Sequence, residues 1–165
     1  MVDELIKKEE ERIKNEEEKR RQEAIAAANR KKGYLWPLPS SYSRLSSYFN
    51  ENRTISSLGY VNKIHYGIDV PAPRGTPIYA IKAGRVLAAK YSAGYGYYVM
   101  IDHGDGITSL YAHCSKLLVS EGAIVERGAT IALVGTTGNS TGNHLHLEMR
   151  VNGTRKDPLD YVKIS

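Results

Sequence analysis

The sequence predicts a mainly β protein, a small antiparallel β-sheet domain with a histidine-lined groove, preceded by a long N-terminal α-helix. Three observations carry this. Residues 3–32 hold no Gly or Pro and consist almost wholly of good helix formers. From Gly33 onward the pattern changes to short β-like runs separated by Gly, Pro, Asn and Asp, as all-β domains show. Four of the five histidines stand in three short motifs within that second part.

The helix comes first. Pairs such as Glu10 with Lys14 and Glu16 with Arg20 fall at the four-residue spacing that supports an exposed helix. Between Lys7 and Glu23 the only aliphatic residue is Ile13, so no apolar heptad seam is sustained. A solvated helix is expected over residues 1–33, with the end of a coiled coil as the alternative, and it offers a surface for a partner protein or for self-association. Gly33 suits the helix terminus, and Trp36-Pro37-Leu38-Pro39 then forces an extended stretch. The boundary with the β domain, residues 34–165, is placed there.

Strands are expected over residues 77–81, 85–91, 97–102, 107–114, 130–134 and 144–151. A weak internal echo links G-T-P-I-Y-A-I from Gly75 with G-A-T-I-A-L-V from Gly128, a sign of duplication.

Composition narrows the classes of function. One cysteine, Cys114, excludes an internal disulfide and any cysteine-cluster zinc site, so a metal would have to sit on His and carboxylates. Cys114 itself reads as a small core residue. The formal charge of +5 suits an anionic partner, but the basic residues are scattered and match no nucleic-acid signature, so no specific nucleic-acid binding is expected. No apolar run approaches the roughly 20 residues of a membrane span. Met1 is followed by charge, unlike a signal peptide, which leaves a cytoplasmic protein or a fragment of an exported chain.

The motifs carry the chemistry. In H-L-H-L-E-M-R-V, strand alternation puts His144, His146, Glu148 and Arg150 on one face and Leu145, Leu147, Met149 and Val151 on the other. Two same-face imidazoles suit one metal ligand beside one proton-transfer group. In H-Y-G-I-D, His65 and Asp69 offer an imidazole nitrogen and a carboxylate oxygen from one side of a strand or turn. Catalytic zinc takes three protein ligands and leaves a fourth position open, and His65, Asp69 and His146 make that number.

Together, H-Y-G-I-D-V-P-A-P-R-G-T-P-I-Y-A, G-Y-G-Y-Y-V-M-I-D-H-G-D-G-I-T-S-L-Y-A-H and V-G-T-T-G-N-S-T-G-N-H-L-H-L-E-M-R-V-N-G resemble the LytM-like or lysostaphin-type zinc endopeptidases of bacterial cell walls, over about residues 36–162. The resemblance implies a duplicated hybrid motif related to lipoyl/biotinyl-like barrels. It implies one zinc per domain on His65, Asp69 and His146, with His113 and His144 as the catalytic histidines. It also implies hydrolysis of peptidoglycan peptide outside the cell or at the wall. Relatives that bind wall or activate another hydrolase without catalysis generally lose ligands or catalytic histidines; none is lost here. The family often has Phe-Gly and a nearby Arg before the first motif, where this chain has F-N-E-N-R, which leaves a role for Arg53 open.

Substrate contacts are expected from Tyr111, taken to face the same way as His113, from Tyr97 in the run Tyr95-Gly96-Tyr97-Tyr98, and from Asn143, preferred over Asn139 in the loop before H-L-H. Glu148 is a candidate to support His146, with a salt bridge in the groove wall as the plainer role. His103 is expected to hold a turn.

Overall fold

The computed structural model describes residues 1–163. In chain order these form helix α1 (Val2–Lys31) and strands β1 (Asn52–Ile55), β2 (Tyr60–Ile64), β3 (Ile68–Pro71), β4 (Pro77–Tyr79), β5 (Gly84–Ser92), β6 (Gly96–Asp102), β7 (Ile107–Leu117), β8 (Ile124–Val125), β9 (Thr130–Val134), β10 (His144–Val151) and β11 (Thr154–Lys156).

The charge-rich sequence of α1 keeps most of it in water; Ile25 is its one buried side chain. Exposed ion pairs along it join Arg12 to Glu9 and Glu16, and Arg21 to Glu18, rather than the pairs expected from spacing. Such exposed pairs, screened by water, add little to stability. The C-terminal half packs against the β domain. The Asn29 amide donates to the carbonyls of Ala83 (3.0 Å) and His103 (2.9 Å), Lys82 Nζ donates to the Asn29 carbonyl (3.0 Å), and Arg85 pairs with Glu18 (2.6 Å). No helix among the described residues is long and apolar enough to cross a membrane.

Among the described residues the strands form a two-stranded sheet, β1 with β2, and a nine-stranded antiparallel sheet ordered β11-β10-β7-β6-β5-β8, with β3 beside β10 and β9 joining β7 to β4. Alternation on β10 works as its sequence implies: Leu145, Leu147 and Met149 are fully buried with Ile68, Val70, Ile101 and Ile131 in one core. The two echoing segments pair with each other. Pro77 lies opposite Leu133 and Ile78 opposite Ala132, while Gly75 N–H donates to Val134 and Gly128 N–H to Ala80, both at 2.9 Å.

All six expected strands are present, with β7 running three residues further, to Leu117, and β4 stopping two residues short of the expected Ile81, at Tyr79. β1, β2, β3, β8 and β11 were not anticipated. None exceeds five residues, too few for alternation to stand out.

Candidate metal centre

β3 and β10 run antiparallel with Asp69 directly opposite His146. His65 reaches the same point from the link after β2, where its N–H donates to Glu51 and its carbonyl accepts from Asn50, both at 2.9 Å. The two motif residues therefore meet across a turn rather than along one strand. Gly67 makes the turn possible, because a Cβ there would lie 2.1 Å from the Leu147 carbonyl oxygen. His65 Nε2 stands 3.1 Å from both Asp69 Oδ1 and His146 Nδ1, and the last two are 2.7 Å apart. Three atoms that could ligate a metal thus lie within 4.8 Å of one another.

The surroundings orient each of them. His65 Nδ1 is 3.0 Å from the Tyr48 carbonyl, a pure acceptor, so Nδ1 carries the proton and Nε2 presents a lone pair. His146 Nε2 faces Glu148 Oε1 at 3.1 Å, which leaves Nδ1 bare toward the centre. Arg53 Nη1 donates to Asp69 Oδ2 at 3.0 Å, leaving Oδ1 inward. Two imidazole lone pairs and a carboxylate oxygen, all buried, converge with no donor between them. Such a point requires a proton or a cation. Without a cation, burial works against charge on His146, but its bonds to Asp69 and Glu148 prevail and raise its pKa to about 9. Burial likewise works to raise the Asp69 carboxyl, yet His146 and His65 hold it well below the usual carboxylate range. The donor set, two imidazole nitrogens and one carboxylate, fits zinc.

His113 and His144 stand beside the trio with ring centroids 4.9 Å apart, and His113 is 5.8 Å from the His146 ring. Main-chain carbonyls hold both: His113 Nδ1 donates to Thr137 (2.7 Å) and His144 Nδ1 to Gly142 (2.8 Å). Burial, reinforced by the neighbouring histidines, lowers His113 to about 4. Burial also lowers His144, against the pull of Asp69. Both are neutral near pH 7, with Nε2 able to accept a proton.

Tyr111 does not face the groove. It is fully buried in the core, where its hydroxyl accepts from Ile81 N–H (3.1 Å) and from Ser109 (2.8 Å). The expectation failed because His113 has φ +62° and the β6–β7 register slips there, so side-chain alternation reverses between Tyr111 and His113. The same reversal takes Cys114 into the core, as expected, and burial raises its thiol to about 12. Tyr97 is also misplaced: it packs edge-on against Tyr91 (5.1 Å) outside the groove. Asn143 is exposed on a neighbouring depression beyond His144, while Asn139 lines the histidine groove.

The groove, a cavity of about 210 Å³, has Ile55, Leu58, Tyr60 and Ile64 of the β1–β2 hairpin on one side, and Tyr95 with Asn139, Ser140 and Thr141 on the other. Sequence reasoning singled out neither Tyr95 nor Ser47. The Tyr95 ring stacks against His146 (6.2 Å), and Ser47 Oγ contacts His65 Nδ1 (3.1 Å) and the Glu51 carboxylate. The only signal for Tyr95 was the tyrosine run. His103 sits away from the groove, its ring bonded to Ala83 O (2.8 Å) and Ser109 Oγ (2.7 Å) while its main chain closes the turn to Ile107.

Comparison with known proteins gives a coherent picture. The model of "Peptidase family M23" matches residues 63–158. A peptidoglycan DD-endopeptidase of Vibrio cholerae, ShyC, is 41% identical over 128 residues, which cover 78% of this chain and 29% of that protein. The crystal structure of a zinc-containing peptidase from Vibrio cholerae superposes with TM-score 0.69 at 34% identity, over 76% of this chain and 39% of that one. The catalytic domain of lysostaphin from Staphylococcus simulans superposes with TM-score 0.65 at 31% identity, over 73% and 91%. The chain spans less than a third of the length of the curated relatives that it matches first.

Proposed function

Since the chain belongs to peptidase family M23, we propose that its β domain, residues 34–165, is a zinc-dependent endopeptidase that hydrolyses peptide bonds of bacterial peptidoglycan, in the stem peptide or cross-bridge. His65 Nε2, Asp69 Oδ1 and His146 Nδ1 would hold the ion. The carrying observation is the convergence of these three proton-free acceptors beside two neutral histidines in one groove. Zinc bound there supplies a Lewis acid for the scissile carbonyl and acidifies a water.

The remaining chemistry falls to the chain. With Nδ1 protons committed to carbonyls, His113 and His144 each keep a lone pair on Nε2, that of His144 3.6 Å from Asp69 Oδ1. Either can take the proton of the attacking water at Nε2 and return it to the leaving amine, and the imidazolium so formed faces the developing oxyanion until it gives that proton up. The apolar hairpin wall and Tyr95 line the approach for an extended peptide and limit water around the reacting atoms. Peptidoglycan as substrate would put the domain in the periplasm or at the wall, a reading supported by two Vibrio cholerae relatives named for action on that polymer. Helix α1 (Val2–Lys31), outside the matched segment, is the candidate surface for a partner protein. No residue of the zinc or histidine set is missing, which favours catalysis over a binding-only module.

The test is metal analysis followed by incubation with purified peptidoglycan of known bridge chemistry, comparing the native chain with His146→Ala. Bound zinc and released peptide fragments, both lost in the variant, are expected. Native protein that holds zinc yet releases no fragments would remove the peptidase reading.

A further inference from the structure

Behind His146 lies a carboxylate that the proposed reaction does not use. Glu148 is 1% exposed, and the four polar groups that meet its carboxylate are all donors. His146 Nε2 (3.1 Å) and the Tyr95 hydroxyl (2.8 Å) meet Oε1, while Arg150 Nη2 (3.1 Å) and Arg155 Nε (3.5 Å) meet Oε2. Two cations on the far oxygen account for an ionised group at full burial.

We propose that Glu148 is a positioning residue for the metal: by accepting the Nε2 proton of His146 it fixes the ring tautomer and aims Nδ1 at the centre shared with His65 and Asp69. Tyr95 completes the clamp, with its hydroxyl on Glu148 and its ring stacked against His146, so a side chain of the groove wall is tied to a ligand. The inference rests on the reading of the trio as a metal site.

Four donors around one carboxylate make the prediction sharp. Only an acceptor-only group satisfies them all. In Glu148→Gln the amide NH2 must face either the two arginines or the His146–Tyr95 pair. In the second case, His146 can accept at Nε2 only by moving its proton to Nδ1, the atom meant for the metal. Partners of this kind typically support metal affinity by about 10- to 100-fold.

The experiment measures zinc affinity of the full chain by chelator competition, together with the visible spectrum of the cobalt(II)-loaded protein and the melting temperature of the metal-free form. Expected are zinc affinity about 10- to 100-fold weaker and an altered cobalt spectrum in Glu148→Gln, with partial recovery in Glu148→Asp. Tyr95→Phe, which keeps the carboxylate, should show a smaller loss of affinity and serves if the Gln variant does not fold. Wild-type affinity and spectrum in folded Glu148→Gln, or in Tyr95→Phe should the Gln variant not fold, would overturn the inference. If native protein binds no zinc, the metal-site reading itself fails, and with it this inference.

Discussion

The two halves of the groove are held in different ways. Charged or polar side chains orient two of the inner trio: Arg53 on Asp69 and Glu148 on His146, while His65 has the Tyr48 carbonyl with Ser47 alongside. The outer pair, His113 and His144, depends on the carbonyls of Thr137 and Gly142. Ionised partners orient two of the three acceptor atoms that meet at a point requiring positive charge. Neutral carbonyls fix a tautomer without adding charge, so burial keeps these rings unprotonated. On the proposed reading the first half holds a cation and the second exchanges a proton.

The largest expected effect tests that division at its inner half. His146→Ala should lose bound zinc and all measurable peptide release together, as read by metal analysis and by fragments freed from peptidoglycan. Activity that survives zinc loss would break the comparison.

Next comes the outer half. His113→Ala and His144→Ala should each lower turnover by about 10²- to 10⁴-fold while zinc content stays at the wild-type level. Loss of zinc in either would show that the halves are not separable.

The pH dependence should have opposite signs in the two halves. His113 has a native value near 4, below the unfolded value of about 6.5, so the unfolded chain binds its proton first. Its part of the stability is complete above about pH 6.5 and falls away toward pH 4. His146 in metal-free protein, raised to about 9, adds stability that is complete below about pH 6.5 and is lost as pH rises through 9. Melting curves of metal-free protein should therefore decline less steeply between pH 6.5 and 4 in His113→Gln than in wild type. Identical slopes would mean that His113 is not held neutral by its site.

The smallest effect is expected from Tyr111→Phe, which removes a buried hydroxyl without touching the groove. Stability should drop by about 1–3 kcal/mol in denaturant titrations, with turnover of the folded protein unchanged. Reduced turnover at full folding would return Tyr111 to the groove side of the comparison.

Tyr111 also shows where the sequence was legible and where it was not. The alternation of β10 and the spacing of H-Y-G-I-D pointed to His65, Asp69 and His146, because period and ligand chemistry are local properties. The orientation of Tyr111 failed on a single left-handed residue, His113, whose side chain does not announce such a backbone as Gly or Asn does. Arg53 and Tyr95 come from other parts of the chain, and nothing local to either names Asp69 or Glu148 as its partner. The edge-on packing of Tyr97 against Tyr91 follows from hairpin register, which composition does not reveal.

The antiparallel seam between β3 and β10 has a kinetic consequence. His65 and Asp69 are 77 or more positions from His146, so an unfolded chain offers an ion only two ligands within one local segment. The third arrives when a long loop has closed, among the slowest contacts a chain makes. Metal uptake should therefore trail assembly of the sheet, and an arrested or truncated chain would stay without its ion and inert toward surrounding peptide.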